Sequence, residues 1–397
     1  MKEISFSLMF HNERSLGIIQ SALDEFEKQS HIHVNLNVLN WQTGYSELTK
    51  GAIYGRGPDV SEIGTTWVSG LTAMNALRPF SPQDMAQIGK PEEFIPASWN
   101  TCRIPSDERM WAIPYTANIY SINYRKDLLQ KAGIDEASAF QSHAQIAKTV
   151  RQLAQSGVQM PVVLSEDRYA LLHAMTSWLW AQGGDFCTPD GKQILFDRPE
   201  SLAAISAYFG LLRGLSPDVL KMAASQPYSV YLFCEGQSAI HFYDLSVREK
   251  MPEMLPNVLE NWGVTPFPKP SFMGGTNLVI WQHSPHVEAA MALVQFLTSV
   301  PSMAQAVIPF QMLPPRLAVM ETPEFLQDQF LKNLGDVANA GRSYPSVKLW
   351  GMIEKRFVDV LFDIRSIVLS DPSVDLDALI QNKVIPVAER LNIAITQ

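Results

Sequence analysis

The sequence predicts an α/β protein of two lobes, each with a mostly parallel sheet and flanking helices. The first reason is length, because 397 residues are more than one ordinary hydrophobic core organises. The second is composition, since 46% hydrophobic and 18% charged residues are typical of a globular chain. The third is the order of strand and helix patterns, which alternate along the first block of the chain.

The first block follows the order strand, helix, strand, helix, strand. Apolar residues alternate over 4–10 and again over 32–41, which predicts two strands. Between them, 13–30 carries apolar residues at helical spacing, and a short helix is expected from about Tyr45. A turn and a third strand follow in 55–64. This order predicts parallel strands joined by covering helices.

The carboxyl ends of these strands form the predicted ligand rim, because open α/β sheets bind ligands there. The rim comprises 10–14, 40–44 and 63–68. Sugars present C–H groups on a face and hydroxyls around an edge, so they need flat rings beside groups that donate and accept hydrogen bonds. The rim and its flank contain such residues: His11, Asn12, Glu13, Trp41, Gln42, Tyr45, Thr65, Thr66 and Trp67. Any single ring is better explained by packing in the hydrophobic core. The evidence for a ligand site is that several such residues cluster at the ends of successive strands.

The second block mixes helices with short strands. Helices are predicted near 125–132 and around 142–155, and a Trp-rich helix within 171–185 stops at a Gly-Gly pair. Strands are predicted at 160–165 and 278–282, and a helix end, a turn and a strand are predicted in that order within 230–243. A further helix should be capped by Ser284 and have Pro285 at its first position, and the chain after 316 should be mostly helical.

Three passages rich in Pro or Gly mark predicted lobe boundaries. They lie near Pro114, near Pro266–Pro270 and near Pro314-Pro315. Three boundaries in one chain predict three crossings between two lobes. The predicted lobes are 1–118 with 265–315, and 119–264 with 316–397.

Charge and cysteine content narrow the function classes. The chain has 31 basic and 40 acidic residues, and its net charge of -9 disfavours binding to nucleic acid or anionic lipid. No window reaches the roughly 18 continuous apolar residues of a membrane span. The three cysteines form no CxxC pair, which favours buried thiols and leaves one bridge possible among Cys102, Cys187 and Cys234. The first residues have strand patterning rather than a leader pattern, which leaves a cytoplasmic protein or a removed leader.

Enzyme signatures are missing from the sequence. It lacks GxSxG, HExxH, the GK[ST] of a P-loop and a GxGxxG after the first strand. The pairs His283/His286 and His31/His33 are better explained by a helix start and by strand polarity than by a metal. We therefore predict no catalysis, no metal and no cofactor.

Paired rim carboxylates keep a glycosidase open as an alternative. The candidates are Glu13, Asp59 and Glu62. Asp59 follows Pro58 at a strand entrance, where an aspartate commonly accepts hydrogen bonds from backbone N–H groups, so a structural role is the favoured interpretation.

Eight motifs occur along the chain in the same order as in a known family. They are GRGPDV (55–60), LRPF (77–80), MWAIPYTANIYSINYRKDLLQKAGID (110–135), AQGGD (181–185), FCEGQSAIHF (233–242), WGVTPFPKP with GGTNLVI (262–280), EAAMALVQFLTS (288–299) and MLPPR (312–316). Together they resemble the extracellular solute-binding proteins of family 1, the sugar-binding components of ABC importers that include maltose-binding protein.

The resemblance implies a two-lobed periplasmic-binding-protein fold of type II, with three hinge crossovers and ligand held in the cleft by hinge closure. It implies capture of a mono- or oligosaccharide for ABC transporter permease subunits, by a monomer in the periplasm or at the extracellular surface. A non-sugar small polar metabolite and a sensor module of the same fold are the alternatives.

Site residues carried over from the resemblance fall on both predicted lobes. The usual family Trp after the GQSAI run is missing, and Tyr243 or Trp180 could take its place. Asn118 stands where the family often has an acid. The predicted ligand-binding residues are Asn12, Glu13, Trp41, Gln42, Thr66, Trp67, Tyr115, Asn118, Tyr120, His173, Trp180, Tyr243, Asp244, Gly275, Thr276, Asn277 and Trp350.

Overall fold

A computed structural model describes residues 2–105, 107–225 and 229–396. The chain forms two compact units. The first unit contains 1–119, 273–339 and 343–351, and the second contains 120–272, 340–342 and 352–397. Each unit combines a sheet with flanking helices, which confirms the predicted α/β class.

The strands and helices are numbered in chain order. The strands are β1 Lys2–Met9, β2 Ile32–Leu39, β3 Val60–Gly64, β4 Ile113–Ile119, β5 Ser121–Arg125, β6 Ile240–Tyr243, β7 Trp262–Pro266 and β8 Met273–Ile280. The helices are α1 Glu13–Ser30, α2 Gly44–Tyr54, α3 Val68–Ala73, α4 Pro82–Ile88, α5 Pro96–Asn100, α6 Lys126–Lys131, α7 His143–Gln155, α8 Arg168–Ala181, α9 Pro199–Phe209, α10 Pro217–Ser225, α11 Ser229–Cys234, α12 Pro256–Glu260, α13 Val287–Leu297, α14 Val300–Val307, α15 Pro323–Leu326, α16 Gln329–Ala338, α17 Trp350–Ser370 and α18 Leu376–Thr396.

The sheet of the first unit has the strand order β2-β1-β3-β8-β4. β1 pairs in parallel with β2 and β3, whereas β8 runs antiparallel to β3 and β4. The parallel half matches the predicted strand-helix alternation. Because β1, β2 and β3 run the same way, their carboxyl ends meet at one edge of the sheet.

Helix α1 shows how local sequence sets this part of the fold. The side chain of Asn12 accepts a hydrogen bond from the N–H of Ser15, which closes the amino end of the helix. Ile19, Leu23 and Phe26 lie one or two turns apart and are buried in the core of the first unit. Burying such side chains stabilises the fold by about 1.5–3 kcal/mol each.

The sheet of the second unit has the order β6-β5-β7, and both pairs are antiparallel. This differs from the mostly parallel sheet expected there. The predicted strand at 160–165 is not a regular strand and makes only isolated parallel bridges, Met160 to Ser238 and Val163 to His241. Alternating apolar residues reveal which face of a strand is buried, but not the direction of its neighbour.

The compact units divide the chain at different places from the predicted lobes. Residues 316–339 and 343–351 belong to the first unit, and 265–272 belong to the second. Arg316 gives the reason at the first of these segments. Its guanidinium donates to the carbonyls of Thr298 and Ile88 at 2.9 and 2.7 Å and pairs with Glu93. These contacts hold the segment after 313 on the first unit.

Smaller predictions have mixed outcomes. All three cysteines are buried thiols outside any disulfide, which confirms the thiol interpretation. The predicted helix cap at Ser284 was wrong, because α13 starts at Val287 with His286 as the residue before it. The hydroxyl of Ser284 instead donates to Asp59.

Among the described residues, no single helix is both long and apolar enough to cross a membrane. Within the described ranges, α13 and α14 together have enough length and apolar character for a bent pair, and they meet at an angle of 66°.

Candidate functional site

Five rings gather at the carboxyl edge of the parallel strands in the first unit. This ring edge consists of His11, Trp41, Tyr45, Trp67 and Phe310. Trp67 meets Trp41 at 5.6 Å and Tyr45 at 5.2 Å between ring centroids. His11 meets Trp41 edge-on at 5.7 Å and stacks on Phe310 at 5.5 Å. The rings follow β1, β2, β3 and α14, so the fold has brought together residues far apart in the sequence.

Two rings of the ring edge are open to solvent. Trp41 is 40% exposed and Tyr45 is 36% exposed, whereas Trp67 is partly buried. A soluble protein gains nothing by exposing an indole ring, so an exposed aromatic cluster beside polar groups is typical of a binding surface.

His11 is held in place by a buried acid. Its Nε2 lies 3.0 Å from Oε1 of Glu62, whose other oxygen accepts the N–H of Met9 at 3.0 Å. Glu62 is fully buried in β3. These bonds fix the orientation of the imidazole, which in turn contacts Trp41 and Phe310.

Polar side chains from the predicted rim lie on the same edge. Glu13 and Gln42 are exposed, while Asn12 and Thr66 are partly exposed. The side-chain oxygen of Asn12 is already bonded within the amino end of α1. The backbone N–H of Gln42 donates to the side chain of Asn40 at 2.7 Å, and the side chain of Gln42 is exposed.

The three carboxylates considered for glycoside hydrolysis have different surroundings. Asp59 accepts the N–H and hydroxyl of Ser5 and the hydroxyl of Ser284, which confirms its structural role. Glu62 is bonded inside the sheet, as described above. Glu13 alone is exposed. The structure therefore offers no pair of open carboxylates among these three.

Several predicted site residues lie inside the first unit rather than on its ring edge. Tyr115 has no exposed surface, and burial, with the charge of Glu62, raises the pKa of its hydroxyl well above the usual value. Thr276 bonds Thr116 at 2.8 Å, and Asn277 bonds Thr101. The remaining members of this group are Gly275, which pairs with β4, and Trp350, which stacks on Tyr344 at 4.6 Å.

For Gly275, Thr276 and Asn277, the physical reason is the position of β8 in the sheet. This strand is central, between β3 and β4, so its side chains face packed layers on both sides. Gly275 has a φ of 126°, and a Cβ there would lie 2.1 Å from the carbonyl oxygen of Thr116. The glycine is therefore required by the close backbone approach of β4. Asn118 is partly exposed near the end of β4, opposite Gly274.

A second aromatic cluster lies in the second unit. This second-unit cluster consists of Tyr120, His173, Trp180, Tyr243 and Phe272. His173 stacks on Phe272 at 4.2 Å with an interplanar angle of 10°. Tyr120 contacts His173 at 5.2 Å and Tyr243 at 6.0 Å. The four members predicted from the sequence are thus neighbours, and Phe272 joins them.

Electrostatics keep the second-unit cluster uncharged near neutral pH. Desolvation lowers the pKa of His173 to about 3, so its imidazole is neutral and offers one donor and one acceptor. Burial, and then the charge of Asp244, raises the pKa of Tyr243, which keeps the phenol protonated. Asp244 accepts the N–H of Ser246 at 2.8 Å. Neutral rings with hydroxyl and imidazole edges suit an uncharged polar ligand.

Trp180 is fixed by charged neighbours in the second unit. The guanidinium of Arg342 lies 4.5 Å from its ring centroid, and the indole N–H donates to Asp185 at 3.3 Å. Arg342 and Asp185 form an ion pair. One face of Trp180 is thereby occupied.

Sequence reasoning missed Phe310, Phe272 and Arg342. Phe310 and Arg342 come from segments far along the chain from their partners, and no local pattern marks them. Phe272 had a detectable signal, because it lies beside a predicted Pro-rich boundary. No group of three metal-ligating side chains occurs in the described ranges 2–105, 107–225 and 229–396.

Solved structures share this fold. The sugar-binding protein MalE from Xanthomonas citri superposes with a TM-score of 0.82 at 20% identity, covering 100% of this chain and 98% of that one. UgpB from Mycobacterium tuberculosis, in complex with glycerophosphocholine, gives a TM-score of 0.80 at 15% identity, covering 100% and 99%. The mixed α/β architecture is therefore that of the two-lobed periplasmic binding proteins.

Sequence comparison places the chain in a family. The profile of the bacterial extracellular solute-binding proteins matches residues 12–304, and the chain belongs to this family. A relative from Escherichia coli strain K12, YcjN, provisionally named an ABC transporter periplasmic-binding protein, is 26% identical over 274 residues. That match covers 63% of this chain and 59% of the relative's length.

Proposed function

We propose that this chain is the carbohydrate-capturing component of an ABC importer. It binds a mono- or oligosaccharide, holds it by the hinge closure expected from the sequence, and delivers it unchanged to membrane permease subunits. The proposal places the working protein in the periplasm or at the extracellular surface, as a monomer.

The ring edge of the first unit is the observation that carries this proposal. Trp41 and Tyr45 expose flat apolar surface beside the free side chains of Glu13 and Gln42. A sugar ring stacks its C–H face on an indole while its hydroxyls exchange hydrogen bonds with carboxylate and amide groups. The neutral rings of the second-unit cluster are consistent with the same ligand class.

A thermal-shift screen over mono- and oligosaccharides tests the proposal. Ligand that binds only the folded chain stabilises it by about 2.7 kcal/mol at a concentration 100 times Kd. For a Kd of about 1 µM, 0.1 mM sugar therefore gives a clear rise in Tm. Absence of any shift across the panel at millimolar sugar would contradict a carbohydrate ligand.

Two variants locate the binding surface. Trp41→Ala should weaken sugar binding about tenfold, because loss of a stacking ring costs about 1–2 kcal/mol. Tyr54→Ala is the matched control, since Tyr54 is 74% exposed on α2 in the same unit but lies outside the ring edge. Equal titration-calorimetry affinities for both variants would argue against the ring edge as the site.

The same screen separates the alternative ligand class. UgpB has this fold and was solved with glycerophosphocholine, so the panel includes that compound. A shift with glycerophosphocholine and none with sugars would favour a non-sugar polar metabolite. Hydrolysis of an oligosaccharide, lost in Glu13→Gln, would instead favour a glycosidase.

A further inference from the structure

The second unit contains a pocket that the proposed carbohydrate function does not use. It lies between α10 and α17 and has a volume of about 510 Å³, within the range of small-ligand sites. Polar lining comes from Lys221, Arg365, Ser366 and Ser370, and apolar lining comes chiefly from Phe362 and Leu369. Two cations and no acid line this pocket, although the chain as a whole carries a net charge of -9.

Arg365 is buried beside the pocket, and its guanidinium has fewer hydrogen-bond acceptors than N–H donors. Only 5% of the residue is exposed. Its Nη2 donates to the carbonyls of Leu164 and Ala223 at 3.2 and 3.5 Å. Its Nε has no hydrogen-bond partner among the described residues. Buried donors are almost always satisfied, so an unpaired guanidinium N–H beside a cavity points to a missing acceptor.

A second buried group nearby has the same deficiency. The hydroxyl of Tyr208 has no partner in the described part of the chain, and the ring is fully buried. Burial raises the pKa of this hydroxyl, and the charge of Arg365 acts in the opposite direction, which places the two groups within electrostatic reach. Tyr208 itself does not line the pocket, so the donor that faces the cavity is that of Arg365.

The two serine hydroxyls that line the pocket already donate hydrogen bonds within α17, so the donors left for a ligand are those of the charged side chains. Ser366 donates to the carbonyl of Phe362 at 2.8 Å, and Ser370 donates to that of Ile367 at 3.0 Å. Lys221 is exposed, and no hydrogen bond or ion pair of its side chain is seen among the described residues. An uncharged polyol needs donors and acceptors together, whereas these free groups are cationic donors, which match an oxyanion.

The two neighbouring acids, Glu166 and Asp371, lie outside the pocket lining. Glu166 attracts Arg365 electrostatically, but its Oε2 accepts the N–H of Ser229 at 2.7 Å. Asp371 accepts the N–H of Ser373 at 3.0 Å.

We propose that the pocket binds a small organic anion, with its oxyanion group on Arg365 and Lys221 and its apolar body on Phe362 and Leu369. The volume exceeds what a bare ion fills, which is why an apolar body is part of the assignment. A carboxylate and a phosphate share this recognition, and the experiment separates them.

Titration calorimetry with benzoate, phenyl phosphate, acetate and inorganic phosphate tests the assignment. The wild-type chain should bind benzoate or phenyl phosphate saturably at millimolar concentration, and several-fold more tightly than acetate or inorganic phosphate. Preference for benzoate identifies a carboxylate ligand, and preference for phenyl phosphate identifies a phosphate. No saturable binding of any probe would overturn the proposal, because the unpaired donors would then hold only water.

Variants complete the test. Lys221→Gln should weaken probe binding about tenfold, which corresponds to about 1.4 kcal/mol. Lys131→Gln, at an exposed lysine of α6 in the same unit, should leave it unchanged. Arg365→Gln should abolish binding, and the exposed Lys221 keeps the proposal testable if that variant fails to fold. Equal affinities of wild type and Lys221→Gln would refute the site, and loss of binding in Trp41→Ala would place the probe elsewhere.

Discussion

Replacing His241 with glutamine should change how stability depends on pH. His241 lies fully buried in β6, between the rings of Phe233 and Tyr243. Its Nε2 lies 3.1 Å from the hydroxyl of Ser229, and its Nδ1 has no partner within the described ranges. Burial lowers the pKa of the imidazole to about 3, because a charged ring would lose its hydration there.

Proton linkage gives the direction and the size of the change in the free energy of unfolding with pH. An unfolded histidine takes up a proton near pH 6.5, whereas folded His241 does not until about pH 3. Between these values the unfolded state binds more protons, so stability falls as pH falls, by about 1.4 kcal/mol per pH unit. From pH 7 to pH 5 the wild-type chain should lose about 2 kcal/mol through this group alone. Any folded pKa below about 4 gives the same result at pH 5.

Urea unfolding at pH 7 and pH 5 measures the effect. Glutamine does not titrate, so the free energy of unfolding of His241→Gln, relative to wild type, should rise by about 2 kcal/mol between the two pH values. The absolute cost of the substitution cancels in this comparison. His286→Gln is the control, since His286 is exposed and should show no such difference. A His241→Gln difference that stays constant within about 0.5 kcal/mol would refute a buried, neutral imidazole.

Substitutions at three further positions test the packing of the first unit, each by urea unfolding. Arg316→Met should cost about 3 kcal/mol, because the carbonyls of Thr298 and Ile88 lose their donors; a cost below 1 kcal/mol would contradict this. Gly275→Ala should lower the free energy of unfolding by about 3 kcal/mol or more, because of the positive φ and the clash with the backbone. Near-wild-type stability would show that β4 can shift to make room for the added Cβ. Asp59→Ala should cost about 2–3 kcal/mol by stranding its buried donors, whereas Asp59→Asn should cost under 1 kcal/mol; equal costs would contradict a hydrogen-bonding role.

Local sequence patterns predicted several strands and helices of the first unit. The alternation over 4–10 and the helical spacing over 13–30 predicted β1 and α1, because each pattern repeats within a few residues. Parallel strands end at one edge, so the ring edge of Trp41 and Trp67 followed from their positions after β2 and within the turn after β3. Whether a sugar occupies that edge stays a prediction.

The same reasoning did not reveal burial where distant segments meet. Tyr115 on β4 and Asn277 on β8 are both fully buried, and their contact with a ligand stays a prediction. The antiparallel sheet of the second unit was also not predictable, since β6 and β7 are far from β5 along the chain. Pairing direction depends on how the connecting segments pack.

The amino-acid sequence alone determined the α/β class, the helical and strand faces and the family membership, because these depend on short-range periodicity and on the order of motifs. Only the tertiary structure decided which rings touch, which acids are buried and where buried donors lack partners. Those properties depend on contacts between residues hundreds of positions apart, such as Phe310 with His11 and Arg342 with Trp180. Close packing selects such contacts for the chain as a whole, and no short segment encodes them.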